Sequence, residues 1–188
     1  VLGDFIIGDI NLNTQSTVTD LSPLSSIKSI DLNLIIDSNI YLTSLDGLEN
    51  LSSIGKNIII RENALLENIQ ALHNITKINV SLWVNKNPSL LNLRGLENLK
   101  TIPGELTIHD NGSMISLEGL NNITSTSSKV SIQYNESLKN LDALSNLTSI
   151  TGDYYCCGGL SIKFNPRLQN IDGLVNLRHN IYKLEIID

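Results

Sequence analysis

With 188 residues, 41% of them hydrophobic and 17% charged, the chain is a folding sequence and not a disordered tail. Its net charge of −6, without a basic run, speaks against a nucleic-acid-binding face, and no apolar stretch approaches the ~20 residues that span a bilayer. Leu, Ile, Asn and Ser dominate while Phe and Met are nearly absent, a narrow vocabulary that points to one small unit used many times.

In chain order, the first unit is "GDINLNTQSTVTDLSPLSSIKSI" (8–30), a degenerate copy with Gln15 where later units hold asparagine. Asn39, Asn63, Asn87, Asn111 and Asn135 follow at a constant spacing of 24 residues. Asn165 comes 30 residues after Asn135, which places a six-residue insertion around "GDYYCCGG" (152–159). The chain ends on "KLEIID" (183–188), the first strand of a further unit. Residues 1–188 therefore read as one domain: the degenerate first unit, six full repeats and a strand stub. The chain begins at Val1 rather than Met, so the lack of a visible leader decides nothing.

Each unit carries an L-x-I pair: Leu34/Ile36, Ile58/Ile60, Leu82/Val84, Leu106/Ile108, Val130/Ile132, Leu160/Ile162 and finally Leu184/Ile186. Period 2 over a short run predicts a strand with one buried face. Two more aliphatic columns follow: Leu45, Ile69, Leu93, Leu117, Leu141, Ile171, and Leu51, Ile75, Leu99, Ile123, Leu147, Leu177. Apolar residues on every side of a coil predict that the coils enclose their own core. A column of small residues (Gly47, Ala71, Gly95, Gly119, Ala143, Gly173) marks a turn with little room or a close backbone approach. Two asparagine columns sit where the chain turns: the one starting at Asn39, and Asn50, Asn74, Asn98, Asn122, Asn146, Asn176. An amide both donates and accepts, so both columns are expected to bond to backbone and to the asparagine of the next coil.

Helical solenoids usually need over ~30 residues per unit, and no run here is long enough for a helix. The pattern predicts an all-β fold, a right-handed parallel β-solenoid on the order of 30 Å long.

The phrases "SLDGLENLSSIG" (44–55), "NPSLLNLRGLENLKTI" (87–102) and "NLDALSNLTSITG" (140–152) carry a family resemblance. They resemble the receptor L domain, the leucine-rich-repeat-like β-helix of insulin and epidermal growth factor receptor ectodomains. They are most similar to the many-copy versions in surface and secreted proteins of Bacteroidetes-type bacteria and some protists. The resemblance covers about residues 8–188 and implies a fold, because this family shares a scaffold and not a ligand. It also implies an extracellular or cell-surface setting. The flanking cysteine-rich modules of the hormone receptors are absent from this chain. "VTDLSPLSSIKSI" (18–30) is also similar to internalin-type leucine-rich repeats, whose shorter period fits less well.

Strand alternation predicts three outward columns on the L-x-I sheet. The central one is Ile35, Ile59, Trp83, Thr107, Ser131, Ser161; beside it run Asp37, Arg61, Asn85, His109, Gln133, Lys163. The third is Asn33, Asn57, Ser81, Glu105, Lys129, Gly159. Trp83, the one tryptophan, is thus expected to point to water. Ile35, Ile59 and Trp83 would form an apolar stripe with Asp37, Arg61, Asn85 and His109 as its polar rim and Thr107 next in line, a pattern suited to recognition. The alternatives are that Ile simply suits a strand, or that a neighbouring domain or second subunit covers the stripe. Tyr154 and Tyr155 in the insertion are further candidate contacts, since insertions in solenoids become loops on one face. That loop could equally pack back on its coil.

Catalytic signals are weak. Asp37 and Glu105 lie three coils apart at opposite edges of the strip, too far for a retaining glycosidase pair, and the flanking loops are short for a cleft. An inverting pair stays open on distance alone. His109 and Asp110 are strand neighbours that should face opposite ways, and no G-x-S-x-G, H-E-x-x-H or phosphate loop occurs. No metal or cofactor is expected. Cys156 and Cys157 are adjacent and cannot make a disulfide framework or a four-ligand zinc site alone. Free thiols, a strained vicinal bond and a bond to another part of the protein all remain open. N-x-S/T sequons occur at Asn50, Asn74, Asn79, Asn111, Asn122, Asn135 and Asn146. Asn79 is the expected acceptor in a glycosylating host, because it alone lies outside both columns.

The expected function is a non-enzymatic binding or adhesion module of a secreted or cell-surface protein, taking a protein or glycan. The alternatives are a structural spacer in a longer array, favoured by the uncapped stub at 183–188, and more remotely a carbohydrate-active enzyme.

Overall fold

The computed structural model describes residues 1–8, 16–152, 158–178 and 182–187. Strands Phe5–Gly8, Leu34–Asp37, Ile58–Arg61, Leu82–Asn85, Leu106–His109, Val130–Gln133, Leu160–Lys163 and Leu184–Ile187 pair in parallel, in chain order, as one eight-stranded sheet. The register follows the repeat: Leu34 lies beside Ile58, Ile58 beside Leu82, Leu82 beside Leu106 and Leu106 beside Val130. Each step across the sheet is therefore one full coil of sequence. The fold is an all-β parallel β-solenoid, as the spacing predicts.

A second side is made of two-residue strands. Ser29–Ile30 pairs with Ser53–Ile54, and Thr101–Ile102, Ser125–Thr126 and Ser149–Ile150 form a separate three-stranded ladder. Each sends one side chain inward: Ile30, Ile54, Ile102, Thr126, Ile150. The inward Thr126 is fully buried, and its hydroxyl donates to the Ser128 carbonyl at 3.0 Å. On the remaining side lie turns, which among the described residues include the short 3-10 segments Ser22–Leu24, Gln70–Asn74, Asp142–Leu144 and Asp172–Leu174.

The aliphatic columns fill the interior. Leu45, Ile69, Leu93 and Leu141 are completely buried, as are Leu51, Ile75, Leu99, Ile123 and Leu147. The columns lose this burial at the last rung: Ile171 is 41% exposed and Leu184 55% exposed. No coil among the described residues lies against their far side.

The small column marks a close approach between successive coils. At Gly119 the backbone takes φ +112, and a Cβ there would collide with the Leu93 carbonyl of the preceding coil. Ala143 lies within the 3-10 segment Asp142–Leu144, whereas Gly173, in the equivalent segment Asp172–Leu174, again leaves no room for a Cβ, which would strike the Leu141 carbonyl.

The strand that stacks on Leu34–Asp37 is Phe5–Gly8, with Ile7 beside Ile36. The 24-residue ruler places Ile10 and Leu12 there instead. The first coil begins earlier than the ruler sets it and holds more residues before it closes at the Ser16–Asn39 bridge.

The two asparagine columns differ. The first is a buried amide ladder. Asn87 donates from its backbone N at 3.1 Å and from Nδ2 at 3.2 Å to Asn111 Oδ1, and its own Oδ1 accepts both equivalent bonds from Asn63. Its Nδ2 also reaches the carbonyls of Ile60 and Asn85. The pattern runs from Asn39 to Asn165. It holds the turn after each sheet strand, where Ser38, Glu62, Lys86, Asp110, Tyr134 and Phe164 all take left-handed backbone with φ between 54 and 57. The second column corrects the expectation of amide stacking. These side chains are mostly exposed, and each donates to one backbone carbonyl of the preceding coil, as Asn98 does to His73 at 2.7 Å.

Candidate functional site

The outward face of the eight-stranded sheet brings the candidate residues together. In the central column Ile35 stands beside Ile59, Ile59 beside Trp83 and Trp83 beside Thr107. All four are half-buried. Ile6 extends the same column and is 39% exposed. Trp83 stands on the outward face, as its alternation predicts, but is half-buried there. Its indole nitrogen Nε1 is buried without a partner among the described residues.

The next column splits into two halves of different chemistry. In the first, Arg61 donates to Asp37 Oδ2 from Nε at 2.8 Å and from Nη2 at 2.7 Å, and the Ser38 hydroxyl donates to Oδ1 at 3.0 Å. The Asp37 side chain is only 1% exposed against 44% for Arg61, which corrects its expected place on the accessible rim. The arginine lies over the carboxylate and seals it, and the bond to Asp37 raises the guanidinium pKa further above its ordinary value. Arg61 itself stays exposed. Asn85, two residues from Trp83 on the same face, has a buried Oδ1 with no partner among the described residues.

The second half is a hydroxyl network. His109 Nε2 lies 2.8 Å from Ser131 Oγ, and Gln133 Nε2 donates to Ser131 Oγ at 3.0 Å and to Ser161 Oγ at 2.9 Å. Ser131 and Ser161, expected outward, are 1% and 3% exposed because the longer His109 and Gln133 lean over them. Burial lowers the His109 pKa, nearby Lys129 adds to the effect, and Asp110 opposes it. The neutral imidazole and the hydroxyl resemble two members of a nucleophile triad. The hydroxyl is covered, however, and also held by Gln133. Further along, Lys163 and Lys183 both pair with Glu185, and their hydrogen bonds hold that carboxyl down to about 2.

Tyr154 and Tyr155 lie outside the described residues, as do Cys156 and Cys157. Among the described residues no cluster of three His, Cys, Asp or Glu side chains is placed to hold a metal, and no helix is long and apolar enough to cross a membrane.

One surface feature escapes the strand-based reading. Tyr134 and Phe164 occupy the left-handed position after their strands, and their rings stack at 4.7 Å between centroids with 21° between planes. The sequence does hold a signal for them: they are 30 residues apart, the same step that separates Asn135 from Asn165. No protein-family model, no curated protein and no solved structure matches this chain.

Proposed function

We propose that this chain is a non-catalytic recognition module of a secreted or cell-surface protein, built on the receptor L-domain plan. It meets a protein or glycan ligand through the outer face of the eight-stranded sheet, around Ile35, Ile59, Trp83 and Thr107, with Arg61, Asn85 and His109 at its edge. The observation that carries this reading is the pair of orphaned atoms at the end of the apolar stripe. Trp83 Nε1 is a buried donor and Asn85 Oδ1 a buried acceptor, two residues apart on one face, neither with a partner among the described residues. Buried polar atoms left unpaired cost about 1–3 kcal/mol each. Both atoms are closed to solvent, so a ligand laid along the stripe reaches them by turning the Trp83 and Asn85 side chains outward, accepting from the first and donating to the second while it covers apolar area.

Catalysis fits the face less well. Asp37 is committed to Arg61, and the Ser131 hydroxyl beside His109 is buried.

The test is a paired glycan-array and surface pull-down screen with the wild type, Trp83→Ala and Asn85→Leu. The expected result is a ligand class whose signal disappears in Trp83→Ala and drops in Asn85→Leu while both variants keep the wild-type β-sheet circular dichroism. Hits that are indifferent to both substitutions would overturn the assignment of the sheet face.

A further inference from the structure

The turn after the sheet carries a cleft, separate from the sheet face. Tyr134 and Phe164 border a cleft of about 740 Å³ and remain 46% and 41% exposed despite stacking on each other. Pro88 and Pro166 add apolar walls, and Asp110 and Glu136 bring two carboxylates. Gly112 holds the position between Pro88 and Glu136 in its column, and a Cβ added there would meet nothing within 4 Å.

The turn itself does not call for aromatic rings. Four other coils fill the same left-handed position with Ser38, Glu62, Lys86 and Asp110, and bulky residues are uncommon at positive φ. The rings are not core residues either, since both face the exterior. Their surroundings select a ligand by charge. Among the described residues no lysine, arginine or histidine lines the cleft. Lys86, the basic residue of the ring column, is turned back to Glu62, with Nζ 3.0 Å from Oε1. The chain as a whole carries a net charge of −6.

We propose that this cleft binds an arginine side chain presented on an extended, proline-containing peptide of a partner protein. A guanidinium is planar, so it can stack on the Tyr134–Phe164 pair while its N–H groups reach the Asp110 and Glu136 carboxylates. Lysine offers a compact, strongly hydrated charge and no flat face. The cleft is larger than one side chain needs, and its ring and proline walls suit the flanking prolines of a polyproline II segment. A neutral sugar could stack on the rings but would leave two carboxylates without a counter-charge, and an anionic glycan would be repelled.

The test is calorimetric titration of the full chain with the acetylated, amidated pentapeptide Pro-Pro-Arg-Pro-Pro and with the same peptide carrying neutral citrulline in place of arginine. The arginine peptide should bind at least about tenfold more tightly than its citrulline counterpart, and more weakly as salt rises. Asp110→Asn and Glu136→Gln should each weaken it and flatten the salt dependence. Tyr134→Ala should abolish it. Gly112→Leu should block the cleft with rings and carboxylates intact and thermal unfolding unchanged. Trp83→Ala should leave peptide binding unaltered, so this proposal and the sheet-face reading fail independently. Equal affinity for the two peptides, no heat from the arginine peptide, or displacement of that peptide by a neutral oligosaccharide would overturn it.

Discussion

The two asparagine columns share one residue type and one period, and their surroundings are opposite. Asn87 is fully buried and takes part in six hydrogen bonds that join three coils. Asn98, eleven residues on, is exposed and makes one side-chain bond to the coil before it. What separates them is the work left by the turn. After a sheet strand the chain passes one left-handed residue and then buries the asparagine that follows, and the amide and carbonyl groups enclosed there need partners from side chains. After the aliphatic turn the backbone is already at the surface, where water can serve. Periodicity alone therefore reveals that a position matters, while burial decides how much.

The contrast can be broken most sharply at Asn87. Asn87→Ala should lower unfolding free energy by about 3–5 kcal/mol, because several buried groups lose their partners at once. Urea denaturation followed by circular dichroism measures it. Asn98→Ala should cost only about 1 kcal/mol or less in the same assay, the worth of one exposed hydrogen bond. Equal costs for the two variants would remove the distinction.

Glycosylation sharpens it further. When the chain is secreted from a glycosylating host, the folded product should carry glycans only at exposed sequons: Asn50, Asn74, Asn79, Asn122 or Asn146. Asn111 and Asn135, fully buried in the ladder, should be unmodified by mass spectrometry. A glycan on either would require the ladder to open.

The smallest effect is in pH. Neither amide column titrates, so dependence just below neutrality should come from the sheet face. Burial lowers the His109 pKa below its ordinary 6.5, so the folded state binds its proton less readily than the unfolded state. The stability linked to this group is present above pH 6.5 and lost as pH falls through the lowered value. His109→Gln, which can keep a bond to Ser131, should flatten that part of a thermal-unfolding profile against pH.

The solenoid was legible because its coils are nearly identical: a residue every 24 positions faces the same neighbours, so the core columns announce themselves. Legibility failed where the period failed. Phe5–Gly8 carries the first strand, but the coil it opens exceeds the regular 24-residue step that separates Leu34 from Ile58, and a fixed ruler passes over it. It failed again on the outer face, where alternation gives a side chain's direction and not its cover. Asp37 points outward and is buried by Arg61, and Ser131 points outward and is buried by His109 and Gln133. The Tyr134–Phe164 pair escaped because its column is otherwise small or charged, with no aliphatic pattern to mark it.

The amide ladder has a direction. Every interior rung, Asn63 through Asn135, gives its protons to the next asparagine and receives them from the one before, so each addresses only its nearest neighbours. A duplicated cassette of one whole period, spliced between two existing rungs, would find the same donor behind it and the same acceptor ahead. Such a protein can grow by copying, widening its sheet by ~4.8 Å per copy at constant cross-section. A copy one residue short would break the chain of amides at the splice.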